Sequence, residues 1–262
     1  MNVGTTPIEA ALRVLTPSQL SFLERLPKAE LHAHLNGSIP LSLLQDLARE
    51  YTSSDNTSKP VVATDIHAGV QRLQEGSSFS SIDDFFELFP AVIYALTSTP
   101  ASLKRATRAI LSHFLDPPIP TSTSDANSGS SAVEYIELRT TPRETPHMSR
   151  RVYLETVLDE IEARSPDTAA LIVSLDRRMS PDVARGVLEL AVQLRREGRR
   201  VVGLDLCGDP TVRFHIFFLR GMYALPSTQS LGAKSMTSAQ CDPPLPTLPP
   251  FFFSYVPKRR VI

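Results

Sequence analysis

The sequence predicts an α/β fold in which a parallel sheet closes as a TIM-type (β/α)8 barrel, with its amino-terminal half accounted for. Short strands alternate with amphipathic helical stretches along the first 210 residues, which is typical of a parallel sheet with crossover helices. Several strands end in polar side chains, where barrels keep their active-site groups. The chain of 262 residues is long enough for a whole barrel, but only about four strands are accounted for by Pro210.

The helices are predicted from capping residues and apolar spacing. The run Thr-Pro-Ser-Gln at Thr16 predicts a capping box and a helix that ends near Leu26. Pro40 begins a second helix, which runs to about Tyr51. Further helices are expected from about residue 82 to 96 and over residues 100–115, 149–163 and 181–195, with Ser98 or Thr99 capping the second of these.

Four strands are predicted, beginning at residues 28, 133, 169 and 201. The first alternates strictly, which places Lys28, Glu30, His32 and His34 on one side. Residues 52–59 and 117–131 are polar and rich in turn-forming residues, so they are expected to be surface loops.

Composition excludes several classes of function. A formal net charge of −1 gives no reason to expect nucleic acid or an acidic membrane as a partner. The two cysteines, Cys207 and Cys241, do not make a disulfide framework or a cysteine zinc site. No signal peptide or bilayer-length apolar run is found, so we expect a cytoplasmic protein.

His32 and His34 are the first candidates for chemistry. Two histidines that are two residues apart on a strand point the same way, so both imidazoles can reach one metal ion. The alternative is two polar residues on a half-exposed strand, and a motif this short does not decide between them. Asn36 and Gly37 then turn the chain towards the next helix.

The residues around these histidines resemble a known family. The run KAELHAHLNGS is similar to the first barrel strand of the adenosine deaminase family. The asparagine after the second histidine resembles the adenosine-deaminase-like branch, the N6-methyl-AMP deaminases. The runs YIELRTTPR, LIVSLDRR and GLDLCGD are also similar to that family, so the resemblance covers about residues 16–212.

The resemblance implies zinc-dependent hydrolytic deamination of a purine nucleoside or nucleoside monophosphate by a monomeric enzyme. The substrate would be N6-methyl-AMP, giving IMP, or adenosine, giving inosine. Three histidines and one aspartate would hold the zinc ion, and His32 and His34 would be two of these four ligands. The implied substrate contacts are His34, Asn36, Thr140, Thr141, Pro142, Arg143, Asp176 and Gly208.

Other interpretations of these residues remain open. The strand end before Arg143 is also typical of a proline turn with a solvated arginine, and Asp176 of a loop or helix-capping aspartate. Aromatic residues at helical spacing are usually core, but in the family Phe85, Phe89 or Tyr94 would line the mouth of the purine pocket. Another metal hydrolase with a H-x-H strand is a weaker alternative.

The resemblance stops near Val212. The family continues with H-x-x-E, H-G and an Asp-Asp pair, and none of these occurs after Val212. Residues 213–262 are dense in proline, carry no period and resemble the product of a shifted reading frame or retained intron. His215 in this segment is not expected to replace a missing ligand.

We therefore predict a barrel domain over residues 1–212 and an irregular, non-family tail over residues 213–262. With two of four ligands and without the proton-donating glutamate, the chain by itself is expected to have little or no deaminase activity. The alternative function is a non-catalytic barrel fragment or a partner-binding remnant.

Overall fold

A computed structural model of the chain describes residues 13–53, 63–74, 89–116, 133–208 and 252–254. The helices are α1 Pro17–Arg25, α2 Leu41–Ser53, α3 Ala63–Gln74, α4 Tyr94–Leu96, α5 Pro100–Leu115, α6 Arg150–Glu162 and α7 Pro181–Arg196. A 3-10 turn spans Leu35–Gly37, and a π-helical turn, Phe89–Ile93, leads into α4. No helix among these residues is long and apolar enough to cross a bilayer.

The strands form one parallel sheet in the order in which they occur along the chain. They are β1 Lys28–His34, β2 Val133–Thr140, β3 Ala169–Asp176, β4 Val201–Cys207 and β5 Phe252–Ser254. Because β1 to β4 are neighbours in sequence order, with helices between them, the sheet is wound in one direction, as in a barrel. A doubly wound sheet would reverse its order. The predicted α/β barrel class is confirmed for these strands.

Helix starts follow local chemistry. Thr16 and Thr99 each accept a hydrogen bond from the third residue of α1 and α5, and proline occupies the first position of both helices. Ser149 and Ser180 cap α6 and α7 in the same way. The side-chain oxygens satisfy amide groups that have no partner inside the helix. The predicted cap at Thr16 is confirmed, and of the two predicted candidates for α5, Ser98 and Thr99, the cap is Thr99.

The hydrophobic core lies between the helices and one face of the sheet. It is formed by residues such as Leu138 on β2, Val173 on β3 and Leu158 on α6, all fully buried. Burying an aliphatic side chain of this size stabilises the fold by about 1.5–3 kcal/mol. The core therefore holds the helices against this face of the sheet. Because the strands are parallel, their carboxyl ends lie along one edge.

Two details differ from the sequence predictions. Strict alternation along β1 is wrong, because Glu30 pairs with Ile136 whereas Ala33 pairs with Leu138, which places an extra residue in β1. The tail is predicted to be irregular, but residues 252–254 form β5, which pairs with Gly203–Asp205 of β4. An outer strand has unpaired backbone groups that a short extended segment can occupy. Phe85, His215 and Cys241 lie outside the described residues.

Candidate active site

The two histidines of β1 converge at the carboxyl end of the sheet. The Nε2 atoms of His32 and His34 are 3.3 Å apart. Tetrahedral coordination with zinc–nitrogen bonds of about 2.0–2.1 Å places two ligand nitrogens about 3.3–3.4 Å apart. The pair therefore has the separation that two ligands of one tetrahedral ion require.

His34 is the more buried member of the pair. Burial lowers the pKa of His34 below its ordinary value, and the neighbouring imidazole of His32 lowers it further. Asp205 acts in the opposite direction, and Arg139 adds a smaller lowering effect. A lowered pKa favours the neutral imidazole, which is the form that binds a metal ion.

The end of β2 places its residues in three different environments. The hydroxyl of Thr140 is buried and is 2.8 Å from the Tyr153 hydroxyl of α6, so it belongs to the core side. The Thr141 hydroxyl lies 3.3 Å from the Cys207 sulfur at the end of β4. Pro142 is buried and Arg143 is half-buried. The structure thus brings Thr141 to the strand-end edge and leaves Thr140 as an anchor behind it.

Arg143 stacks on an aromatic ring at this edge. Its guanidinium carbon lies 3.8 Å from the centre of the Tyr94 ring, and its Nη2 atom donates to the Thr97 hydroxyl at 2.8 Å. The Nε atom is buried and has no hydrogen-bond partner among the described residues. Phe89 packs against Tyr94 edge to face with ring centres 6.1 Å apart. Tyr94, one of the aromatic residues predicted to line the purine pocket, therefore contacts Arg143, which is predicted to bind the substrate.

Asp176 and Gly208 meet at the ends of β3 and β4. Asp176 accepts hydrogen bonds from the backbone and side chain of Arg178 at 2.6–2.9 Å. Gly208 has a φ of 91°, and a Cβ atom there would lie 2.6 Å from Asp176 Oδ1. Only glycine fits this backbone and this close approach.

Asn36 lies in the 3-10 turn that follows β1. Its side-chain oxygen is buried and has no hydrogen-bond partner among the described residues. A buried amide oxygen without a partner is costly, and such an atom marks a place where a ligand can donate. Asn36 thus lies two residues after His34, with a buried side-chain oxygen to which no described residue donates.

A buried polar cluster under the histidines was not predicted. Arg139 of β2 and Asp205 of β4 are each 4% exposed and form an ion pair at 3.4 Å. Ser174 of β3 donates to Asp205 at 3.3 Å. One signal was present in the sequence, since a charged residue inside an apolar strand has to find a partner. No group of three or more histidine, cysteine, aspartate or glutamate side chains that could hold a metal ion occurs within the described part of the chain.

Comparison with known proteins now decides the family. The model of the adenosine deaminase family matches residues 27–224. The chain belongs to the adenosine deaminase family. It is 32% identical to the N6-methyl-AMP deaminase of Mus musculus over 204 residues, which cover 75% of the chain and 49% of that protein. It is 36% identical to the adenosine deaminase-like protein of Drosophila melanogaster over 196 residues, 72% of the chain and 50% of that protein. The chain thus spans about half the length of these relatives.

Solved structures agree with this family membership. The N6-mAMP deaminase of Arabidopsis matches with a TM-score of 0.61 and 31% identity, over 78% of the chain and 57% of that structure. A second Arabidopsis structure, complexed with IMP, matches with the same TM-score and identity over 78% of the chain and 56% of that structure. An amidohydrolase of Burkholderia ambifaria with bound Zn, at 20% identity and a TM-score of 0.54, shows the shared fold alone; the match covers 80% of the chain and 51% of that structure.

Proposed function

We propose that this chain carries the amino-terminal part of a zinc-dependent deaminase site for an adenine nucleotide, with N6-methyl-AMP as substrate and IMP as product. Adenosine is the alternative substrate. The observation that carries the proposal is the 3.3 Å separation of the His32 and His34 Nε2 atoms at the carboxyl end of β1. Family membership and the similarity to N6-methyl-AMP deaminases support the reaction class.

The donor set fits a zinc ion in part. Two neutral imidazoles with convergent nitrogens are suitable zinc ligands, and the lowered pKa of His34 favours that form at neutral pH. A structural or catalytic zinc site needs at least one more protein ligand, which the family resemblance assigns to later strands. When bound, zinc supplies Lewis acidity and lowers the pKa of water towards about 7.

The neighbouring strand ends provide hydrogen-bond donors for the nucleotide. Arg143 is held by Tyr94 and Thr97 and has an Nε donor without a partner among the described residues, which supports a role in binding a phosphate group. Thr141 adds a hydroxyl at the same edge. The buried Thr140–Tyr153 hydrogen bond anchors this strand end from behind.

Three further residues suit the nucleoside part. The amide oxygen of Asn36, which has no partner within the described residues, could accept from a donor on the sugar or base. By the family resemblance, Gly208 would let the purine approach the backbone at the end of β4, and Asp176, which Arg178 holds, lies beside this glycine. These roles are proposals for Asn36, Asp176 and Gly208 that rest on geometry and on the family.

Zinc binding tests the proposal most directly. With two of the four ligands, we expect one zinc ion per chain bound more weakly than at a complete site, measured by isothermal titration calorimetry at high zinc concentration, with loss of binding in His32→Ala and His34→Ala. His67→Ala is the matched control, because His67 is exposed on α3 and belongs to neither strand end. Negligible zinc binding by the unaltered chain, or equal loss in His67→Ala, would contradict the proposed site.

Nucleotide binding tests the second half of the proposal. IMP should bind in the presence of zinc, and Arg143→Ala should weaken IMP binding by roughly 10-fold or more while changing inosine binding little, since a charge-assisted phosphate contact is lost. Arg185→Ala, exposed on α7, is the control. Turnover of N6-methyl-AMP should be low or absent for the chain by itself. Binding of neither zinc nor IMP would favour the alternative, a non-catalytic barrel fragment.

A further inference from the structure

The histidine strand contains a β-bulge that includes His32, the first of the two candidate metal ligands. Glu30 pairs with Ile136 and Ala33 pairs with Leu138, so three steps along β1 correspond to two steps along β2. The extra residue is therefore Leu31 or His32. A bulge disrupts the local ladder and redirects side chains, and bulges are common next to active sites. The regular pleat of the strand therefore does not by itself determine where the His32 side chain points.

Two side chains hold the peptide unit between Leu31 and His32 from its two ends. Arg139 donates to the Leu31 carbonyl oxygen through Nη2 at 2.8 Å and Nε at 3.3 Å. The amide of His32 donates to Glu30 Oε1 at 2.8 Å. One peptide unit thus has its oxygen bound by a cation and its N–H bound by an anion, both at hydrogen-bond distance.

Arg139 is itself fixed in the interior. It is 4% exposed, it lies opposite His34 in the β1–β2 register, and its Nη1 atom is 3.4 Å from Asp205. Ser174 donates to the other carboxylate oxygen of Asp205. The contact to Leu31 is therefore made by a guanidinium whose position is set by β3 and β4, which connects the bulge to the middle of the sheet.

We propose that Glu30 and Arg139 are positioning residues that hold the β1 bulge and thereby set the separation of the His32 and His34 imidazoles. The inference deepens the proposed function, since it rests on this pair being a metal site. Neither residue is one of the two candidate ligands. Substitution of a residue that orients a metal ligand typically lowers the affinity for the metal by about 10–100-fold.

The geometry explains why such a clamp is needed. His32 is exposed, so packing does not hold its ring, and its backbone is displaced from the regular ladder. Free rotation of an unanchored bulge would separate two imidazoles whose ring centres are 5.1 Å apart. Holding them at ligand spacing before the ion arrives avoids that ordering cost at binding.

The first test is independent of metal. In the metal-free chain, NMR hydrogen exchange at the His32 amide should be roughly 10-fold faster in Glu30→Ala than in the unaltered chain, because its acceptor is lost. Glu30→Gln retains an acceptor oxygen and should restore slow exchange. The His32–His34 ring-to-ring nuclear Overhauser effect should weaken in Glu30→Ala alone. Glu134→Ala, an exposed acid on the neighbouring strand, is the control.

The second test measures zinc affinity in the same variants. Glu30→Ala should weaken zinc binding by about 10-fold, and Glu30→Gln should not. The double variant Arg139→Gln with Asp205→Asn removes both buried charges together and should also weaken binding. Thr107→Val removes a buried hydrogen bond within α5 and should leave zinc binding unchanged. Thermal melts confirm that each variant is folded.

The outcomes separate the clamp from the metal site. Unchanged His32 exchange and an unchanged ring contact in a folded Glu30→Ala chain would overturn the clamp, whether or not zinc binds. Loss of zinc binding in Glu134→Ala or Thr107→Val as large as in Glu30→Ala would also overturn it. Absence of zinc binding in the unaltered chain would instead overturn the proposed metal site, with the exchange data still deciding the positioning role.

Discussion

Strands β1 and β3 belong to the same parallel sheet but are held in place by different forces. β3 is buried along its whole length except at Asp176, and it pairs with β2 and β4. β1 is mostly exposed, lies at one margin of the described sheet and contains two shifts of register against β2. Burial of an apolar run fixes β3, whereas specific side-chain-to-backbone hydrogen bonds fix β1.

This difference separates stability from chemistry. A continuous apolar strand between two neighbours can contribute through burial along its whole length, and its geometry follows from regular pairing. A marginal strand contributes less to the core, but it can take a bulge and present two imidazoles to one point. The contrast predicts that substitutions of equal size will have unequal effects in the two strands.

The largest expected effect is a paired truncation of leucine. Leu171 of β3 is fully buried and Leu31 of β1 is 50% exposed. Leu171→Ala should lower the free energy of unfolding by about 2–5 kcal/mol, because it removes buried methyl groups and leaves a cavity. Leu31→Ala should change it by about 0.5 kcal/mol or less. Urea titrations followed by circular dichroism give both values, and similar losses in the two variants would break the comparison.

Gly208→Ala should have the next largest effect, since it adds a methyl group at the strand ends. The φ of 91° and the 2.6 Å approach to Asp176 Oδ1 leave no room for a Cβ atom. We expect a loss of about 1–3 kcal/mol in unfolding free energy from backbone strain. Gly186→Ala on α7 is the control, because a Cβ there meets nothing within 4 Å. It should be neutral or slightly stabilising.

The sequence predicts the elements whose geometry is local or governed by burial. The run at β3 is an apolar strand of eight residues, Ala169–Asp176, which begins at the predicted residue 169. The capping boxes at Thr16 and Thr99 are also visible in the sequence, because donor and acceptor are three residues apart. The convergence of His32 and His34 agrees with the i, i+2 spacing.

The remaining features depend on residues that are distant in the chain. The bulge in β1 is held by Arg139, which is 108 positions from Leu31. Arg143 stacks on Tyr94 although α5 and β2 separate the two residues in the chain. Alternation alone therefore misplaces Glu30 relative to the histidines, since periodicity contains no information on where a strand gains a residue. A pattern indicates which side chains are candidates, and long-range hydrogen bonds decide where they point.

A smaller difference is expected between the two threonine caps. Thr99→Ala removes the capping box of α5, whose buried face packs on α6 and β2, and should cost about 1 kcal/mol of unfolding free energy. Thr16→Ala removes the same motif from α1, where Phe22 and Leu23 are exposed. Loss of that cap should allow α1 to fray while global unfolding changes little. Equal shifts of the urea midpoint would show that α1 is part of the cooperative unit after all.

The smallest expected effect is the loss of an ion pair of Glu160 on α6 at acid pH. Glu160 of α6 is buried and accepts from Arg108 at 2.7 and 3.0 Å, with Lys104 nearby. The Arg108 guanidinium lowers the pKa of Glu160 below its ordinary value. A lowered folded-state pKa means that the stabilisation is present above the unfolded value of about 4.5 and is lost as pH falls through the folded value.

The difference in unfolding free energy between the unaltered chain and Glu160→Gln should therefore be constant near neutral pH and shrink below about pH 4.5. The magnitude is small because both cations are more than half exposed, so water and salt screen the pair. Glu155→Gln, whose partner Arg151 lies on the same helix, is the control. If the difference in unfolding free energy grew on acidification, the pKa of Glu160 would be raised in the folded state rather than lowered, and the ion pair with Arg108 would not stabilise the fold.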